Sequence, residues 1–264
     1  MAARAEAPTE AAAATRRASG AANPLDVIGF NRAPFLVAPT AGALAVAAAI
    51  ACNPWPVPAR LGLGTAGAIA IGATAFAAVA IWRVYGATAE RRWAWIRSAG
   101  MAGRWLNLTT GFDDSTATLA AGASLAVTAI DIFDTDRPHE PALERARAAF
   151  PPDAASVALN EAARVIGQRR FDTICLAMSA HETHGDDRRA LFRLSRDVLA
   201  PGGRILLVEH LRDVANVASF GSGAWHFATR GEWLTVASDA GLHLEEEQRL
   251  GPWVTGFVFS ADRP

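Results

Sequence analysis

Two stretches of this chain, Ala33 to Ala59 and Leu61 to Trp82, carry no charged side chain. Each supplies the run of about 20 apolar residues that a helix needs to cross a bilayer core of about 30 Å. The break between them, CNPWPVPAR, holds three prolines and is a natural turn. The pattern predicts a two-helix transmembrane hairpin with spans at about residues 33–52 and 61–82. Alanine and glycine make both runs only weakly hydrophobic, so two buried helices of a soluble protein are the competing expectation. Gly64, Ala68 and Gly72, spaced by four, would let the helices approach closely, and the same spacing would serve a homo-oligomer formed through the hairpin.

Arginine placement orients the hairpin. Arg16, Arg17 and Arg32 precede the first span, Arg83, Arg91, Arg92 and Arg97 follow the second, and only Arg60 lies between. Positive charge stays on the cytoplasmic side. The expectation is a multi-pass protein of the cytoplasmic (inner) membrane, with both termini cytoplasmic and the lipid bilayer as partner. ERRWAWIR then mixes arginine with Trp93 and Trp95, as in a segment resting at the headgroups or a linker helix packing on the next domain. Residues 1–24 read as a disordered tail, with Glu6 and Glu10 among scattered arginines and no apolar core. A net charge of −1 gives no reason to expect nucleic acid. Cys52 and Cys175 offer neither a metal spacing nor a disulfide framework.

After the hairpin and amphipathic linker of residues 25–99, the pattern changes. Over residues 100–264, WLNLT, LAVTAIDIF, SVALN, FDTICLAM, GRILLVEH and TGFVFSA read as strands; PALERARAAF, DDRRALFRLSRDVLA and RGEWLTVASDAG read as helices between them. Such alternation predicts an α/β domain, a doubly wound, mostly parallel, Rossmann-like sheet covered on both faces. Ligands of these sheets bind beyond the carboxyl ends of the strands, near the switch point.

FDTICLAMSAHETHGDDRRALFRLSRDVLAPGGRILLVEHLRD resembles the second half of a class I S-adenosylmethionine-dependent methyltransferase. That family's fourth strand begins with Phe-Asp, here Phe171 and Asp172. Its fifth follows a Leu-x-Pro-Gly-Gly turn, here Leu199 to Gly203. The likeness covers about residues 100 to 262 and implies a methyltransferase sheet with S-adenosylmethionine as cofactor. It places RWLNLTTGFDD at the family's first loop, an acid followed by alternating glycines. Asn107 stands for the acid, Thr109 and Asp113 stand for two glycines, and Gly111 alone is kept. The resemblance further implies that Asp113 or Asp114 replaces the missing carboxylate, that Asp131 holds both ribose hydroxyls with Asp134 as a second candidate, and that Asn160 meets the adenine. Strand-end acids that are simply solvated are the plainer reading of Asp131 and Asp134.

His181, His184 and His210 fall just after the fourth and fifth strands, with Glu182 and Glu209 beside them, and His226 follows. An imidazole titrates near neutrality and takes a proton from an attacking hydroxyl, thiol or amine. His181 is the first candidate for that catalytic role and His210 the second. Zinc or iron is the rival use, but no pair has a metal motif's spacing, so no metal is expected. Hydrogen bonding between loops is the plainest use. Arg188, Arg189, Arg193 and Arg196 read as the solvated face of a helix. LRDVANVASFGSGAWHFATRGEWL, with Phe220, Trp225, Phe227 and Trp233, would cap the site or lie on the bilayer. Together these readings predict a membrane-anchored methyltransferase of a small lipophilic acceptor. The alternatives are a catalytically inactive binding or scaffold protein on the same fold, or a metal-dependent enzyme.

Overall fold

The computed structural model describes residues 22–52, 54–121, 126–136, 138–152 and 156–261. Residues 1–21 of the expected tail lie outside them. The described chain opens with a short helix, α1 (Pro24–Phe30), started by a capping box in which Asn23 accepts from the backbone and Asp26 returns the bond. α2 (Arg32–Ala51) and α3 (Val57–Trp82) follow as an antiparallel pair, and α3 runs on through a π-helical turn, Arg83–Ala87. Both helices are long and apolar enough to cross a membrane, and only 11% and 17% of their apolar windows are buried. Two buried helices of a soluble core would show the reverse. The second helix starts before residue 61, at Val57, and Arg60 within it turns back on α2. Its Nε donates to Ala49 O (2.7 Å) and its Nη2 to Ile50 O (3.3 Å), satisfying carbonyls that the end of α2 leaves open.

The helices touch at a different glycine from those the spacing suggests. A Cβ on Gly67 would stand 2.5 Å from Gly42 O, and one on Gly42 would stand 2.7 Å from Gly67 O. Gly72, by contrast, faces open space. Gly67→Leu is therefore expected to force the hairpin apart at a cost of about 1–3 kcal/mol, and Gly72→Leu to be near neutral. Thermal melting of the two variants in detergent measures the difference.

α4 (Ala89–Ala99) is the sequence's ERRWAWIR. It does not rest at a headgroup layer: Trp93, Trp95 and Ile96 are buried against the sheet, and Trp95 Nε1 donates to Glu246 Oε1 (3.3 Å). α4, which precedes residue 100, is thus part of the cover of the sheet. Its strands are β1 (Arg104–Thr109), β2 (Ala126–Ile132), β3 (Ser156–Val157), β4 (Phe171–Ala177), β5 (Leu199–His210), β6 (Leu242–Arg249) and β7 (Val254–Ala261). They form one sheet in the order β3-β2-β1-β4-β5-β7-β6. β1 to β5 are parallel, and β7 is antiparallel to both its neighbours. The expected doubly wound sheet is present, with its switch point between β1 and β4.

Period-two alternation splits the core. Leu106, Leu108, Ile174, Leu176, Ile205 and Leu207 face one side, under α7 (Leu159–Ile166), α8 (Gly185–Val198) and α10 (Arg230–Asp239). Trp105, Cys175, Ala177, Leu206 and Val208 face the other, under α4. Asp172 explains the Phe-Asp start of β4, since its Oδ2 accepts from Arg104 N (2.7 Å) and holds the beginning of β1. Leu199 pairs with Phe171 but Arg204 with Thr173, so the Pro-Gly-Gly segment is a bulge inside β5 rather than a turn ahead of it. SVALN is strand only at Ser156–Val157; Asn160 lies in the first turn of α7. Arg188 leaves the solvated face expected for it. It is buried, donates to Thr183 O (2.9 Å) and stacks 4.6 Å over Trp233.

Candidate active site

At the carboxyl edge, the loop after β1 is held down at both ends. Thr110 Oγ1 donates to Ser179 O beyond β4. Gly111, at φ +94°, presses against the Phe133 ring, where an added Cβ would come within 2.5 Å. Glycine is required there on both counts. Asp113 Oδ1 accepts from Ser115 N (3.0 Å), Ser115 Oγ (3.1 Å) and Thr116 N (2.8 Å), starting α5 (Thr116–Ala121). It is a helix cap. Asn107 is likewise turned inward, its Nδ2 donating to Ser115 Oγ and Thr116 Oγ1 (both 2.7 Å), while its Oδ1 is buried without a partner among the described residues.

Asp131 departs furthest from the sequence expectation. Its Oδ1 accepts from Gly111 N (2.8 Å) and Thr109 Oγ1 (3.3 Å), and its Oδ2 from Ser156 Oγ (2.9 Å) and Arg147 Nη1 (2.6 Å). The residue is 1% exposed. Arg147, on α6 (Pro141–Ala149), also donates to Gly111 O (3.0 Å) and to Ser156 Oγ, and stacks 4.0 Å over Phe133. Four donors fill the carboxylate's acceptor positions. In this arrangement Asp131 fastens the β1 loop to β2, β3 and α6, and no lone pair is left for a ribose diol.

A cleft of about 890 Å³ opens beside this fastening, between α7 and α8, reaching from the loops after β2 and β4 back to Gly167 and Arg170 just before β4. Ile132 and Phe133 give it an apolar wall, and Asp134, Asn160, Glu182 and His184 also line it. Asp134, rather than Asp131, faces the cleft.

Two more charged groups lie under α4. Asp114 is buried and makes no ion pair among the described residues. Burial pushes its carboxyl up to about 6, against the pull of Arg92. Arg92 is also buried, stacks on Trp93 (4.8 Å) and donates from Nη1 to Val84 O (3.2 Å), but its Nε has no partner among the described residues.

The histidines divide by charge. His181 Nδ1 lies 2.8 Å from Glu209 Oε2, its backbone N–H donates to Glu209 Oε1 (3.2 Å), and its Nε2 is 3.4 Å from Glu182 Oε1. Burial alone would lower its pKa, yet the charge of Glu209 and hydrogen bonds to both carboxylates push it up to about 10. That direction favours the imidazolium form of His181 at neutral pH. His210 is the opposite case. Its Nδ1 meets two acceptors, Trp253 O (2.9 Å) and Asn216 Oδ1 (3.1 Å), so the ring proton sits on Nδ1 and Nε2 carries the lone pair. Burial, then the charge of His181, pushes His210 down to about 3, so it stays neutral. His226 is pushed down to about 4 by the same two causes. Phe227 packs among all three, with ring centroids 5.5 Å from His181, 4.9 Å from His210 and 4.3 Å from His226.

Among the described residues, no three His, Cys, Asp or Glu side chains converge as a metal-binding group. Of the cap aromatics, Trp233 belongs to the core. Phe220 edges His210 at 5.5 Å, and Trp225 is on the surface. Arg147, Asn216 and Trp253 were not singled out in the sequence; an arginine one helix away from a strand-end acid is the only cue it offers.

No family model matches the sequence, and no curated protein matches it. Solved structures do align with it. The glycopeptide N-methyltransferase MtfA complexed with S-adenosyl-L-methionine is 14% identical over 66% of this chain and 87% of its own, with a TM-score of 0.48. The CcbJ methyltransferase from Streptomyces caelestis is 17% identical over 65% and 88%, with a TM-score of 0.43. A TehB-like SAM-dependent methyltransferase from Corynebacterium glutamicum is 20% identical over 66% and 87%, with a TM-score of 0.41.

Proposed function

We propose that the chain is a membrane-anchored, S-adenosylmethionine-dependent methyltransferase acting on a small lipophilic acceptor. The observation that carries this reading is the cleft between α7 and α8 together with buried polar groups under α4, across the carboxyl edge of the sheet, of which Arg92 Nε and Asn107 Oδ1 lack partners among the described residues. Those groups fit the cofactor. Its methionyl end is a zwitterion, and Arg92 Nε, Asn107 Oδ1 and the Asp114 carboxyl are a donor, an acceptor and an anion for such a group. Asn160 and Asp134 line the cleft where the adenosine would lie, and its volume is that of an ordinary ligand site. Bound there, the cofactor supplies an electrophilic methyl group on a sulfonium.

The chain's own part is positioning and proton handling. His210 Nε2 takes the hydrogen bond of the acceptor's O–H, S–H or N–H, while Asn216 and Trp253 fix its tautomer. His181, as an imidazolium held by Glu209, favours negative charge on the same acceptor atom. The hairpin keeps the domain beside membrane-dissolved substrates, in the inner membrane with both termini cytoplasmic.

Calorimetric titration of S-adenosylmethionine and its demethylated product into the full chain in detergent tests the reading. Binding is expected, and Arg92→Met is expected to weaken it roughly 10- to 100-fold, the worth of one hydrogen bond to a charged group. Affinity should also fall as pH drops through about 6, because Asp114 takes up a proton there. The saturated Asp131 favours a second reading, a non-catalytic binding protein on this fold. Failure of both ligands to bind at pH 7.5 would select it.

A further inference from the structure

The site lies under a cap whose outer face has no partner. From Val214 to Ala228 the chain carries no Asp, Glu, Lys or Arg. The run begins as α9 (Val214–Phe220), which leaves Val214 85% and Val217 39% exposed, and continues through a 3-10 turn that leaves Trp225 65% exposed. The same segment closes over His210 through Phe220 and Phe227. A stretch this apolar on the surface of a charged domain asks for an apolar neighbour.

The hairpin fixes which neighbour is at hand. Gly42 on α2 stands opposite Gly67 on α3. Ten residues before Gly42 is Arg32, the first charge of the hairpin, and ten after Gly67 is Ala77. At 1.5 Å per residue both lie about 15 Å from the crossing, at one level. The edge of the uncharged slab therefore passes beside Phe76. The Phe76 ring packs against Trp253 at 6.5 Å, and Trp253 Nε1 donates to Ser219 Oγ of α9 (2.6 Å). α9 also packs directly on α3. The exposed apolar face of the cap thus stands at the level where the spans leave the hydrocarbon, next to one of them.

We propose that this face, Val214, Val217 and Trp225, inserts into the lipid bilayer at its cytoplasmic boundary, so that the lipophilic acceptor enters from the membrane and reaches His210 beneath the cap. The proposal rests on the membrane part of the function proposed above and is independent of the transfer chemistry. Insertion adds apolar burial at the headgroup boundary. It also loosens the Phe220 and Phe227 cover where a substrate would arrive.

The test places one accessible cysteine, in a Cys52→Ser background that keeps only the buried Cys175, at Val214, at Val165 on α7 or at Leu44 within α2, each labelled with an environment-sensitive fluorophore. The full chain is reconstituted into phosphatidylcholine vesicles containing a spin-labelled quencher lipid. The label at 214 is expected to lose roughly half its emission, as for a group at the acyl boundary, with that at 44 quenched too and that at 165 unaffected. Quenching at 44 with none at 214 overturns the cap proposal alone. Absence of quenching at both positions removes the membrane-spanning hairpin and the cap proposal together.

Discussion

Replacing Glu209 by glutamine will destabilise the domain by about 3–5 kcal/mol at pH 6, the cost of leaving one member of a buried ion pair alone. Glu209 is fully buried and holds His181 from two sides, through the imidazole and through the backbone N–H. The effect depends on pH in a defined direction. His181 has a folded pKa of about 10 against an ordinary 6.5. A raised pKa of this kind contributes stability that is fully present below pH 6.5 and is lost as pH rises toward 10. The wild type should therefore lose stability between those limits, and Glu209→Gln should flatten the loss. Thermal melts at pH 6 and 9.5, read from tertiary-structure circular dichroism, check both statements. Equal melting of the two proteins at pH 6 would mean that His181 is not charged in the folded state.

Asp131→Asn is expected to act on stability before it acts on binding. The substitution removes the charge that Arg147 needs and turns an acceptor toward Ser156 and Gly111 into a donor on one side. About 3 kcal/mol should be lost without any ligand present. In a conventional ribose site the ligand-free protein would melt unchanged and only nucleoside affinity would fall. Melting the ligand-free variant separates the two, and Asp134→Asn, on the cleft wall, is the matched substitution for affinity.

Much of the fold was legible because it is written in local period. Alternation gave the parallel strands, charge-free length gave the hairpin, Phe171-Asp172 marked the start of β4, and Pro201-Gly202-Gly203 marked a bulge inside β5. Where period carries no sign of what lies opposite, reading stopped. Trp93 and Trp95 look the same facing a bilayer or a sheet, and the sheet has them. β6 escaped notice because LHLEEEQR is charged and exposed on both faces, as an outermost strand can be. The site was legible in outline, since its histidines do gather at the carboxyl edge. Their roles were not. One imidazole meets carboxylates and another meets an amide and a carbonyl, and the distant partners, Glu209 for His181 and Trp253 for His210, lie 28 and 43 residues away. Nothing in PALERARAAF marks Arg147 as the partner of Asp131.

The two borders of the sheet bear on how such a domain survives crowding. An open strand edge is a template on which another chain can add. On one side the last strand is Ser156–Val157, too short to offer a ladder, and Ser156 is already tied to Arg147. On the other, β6 presents Glu245, Glu246 and Glu247 in succession along an exposed strand. Each of the three is engaged within the chain, Glu245 by Arg204 (3.5 Å), Glu246 by Trp95 Nε1 (3.3 Å) and Glu247 by Arg230 (2.7 Å). That border is therefore lined by charged and hydrogen-bonded side chains that an added strand would have to displace.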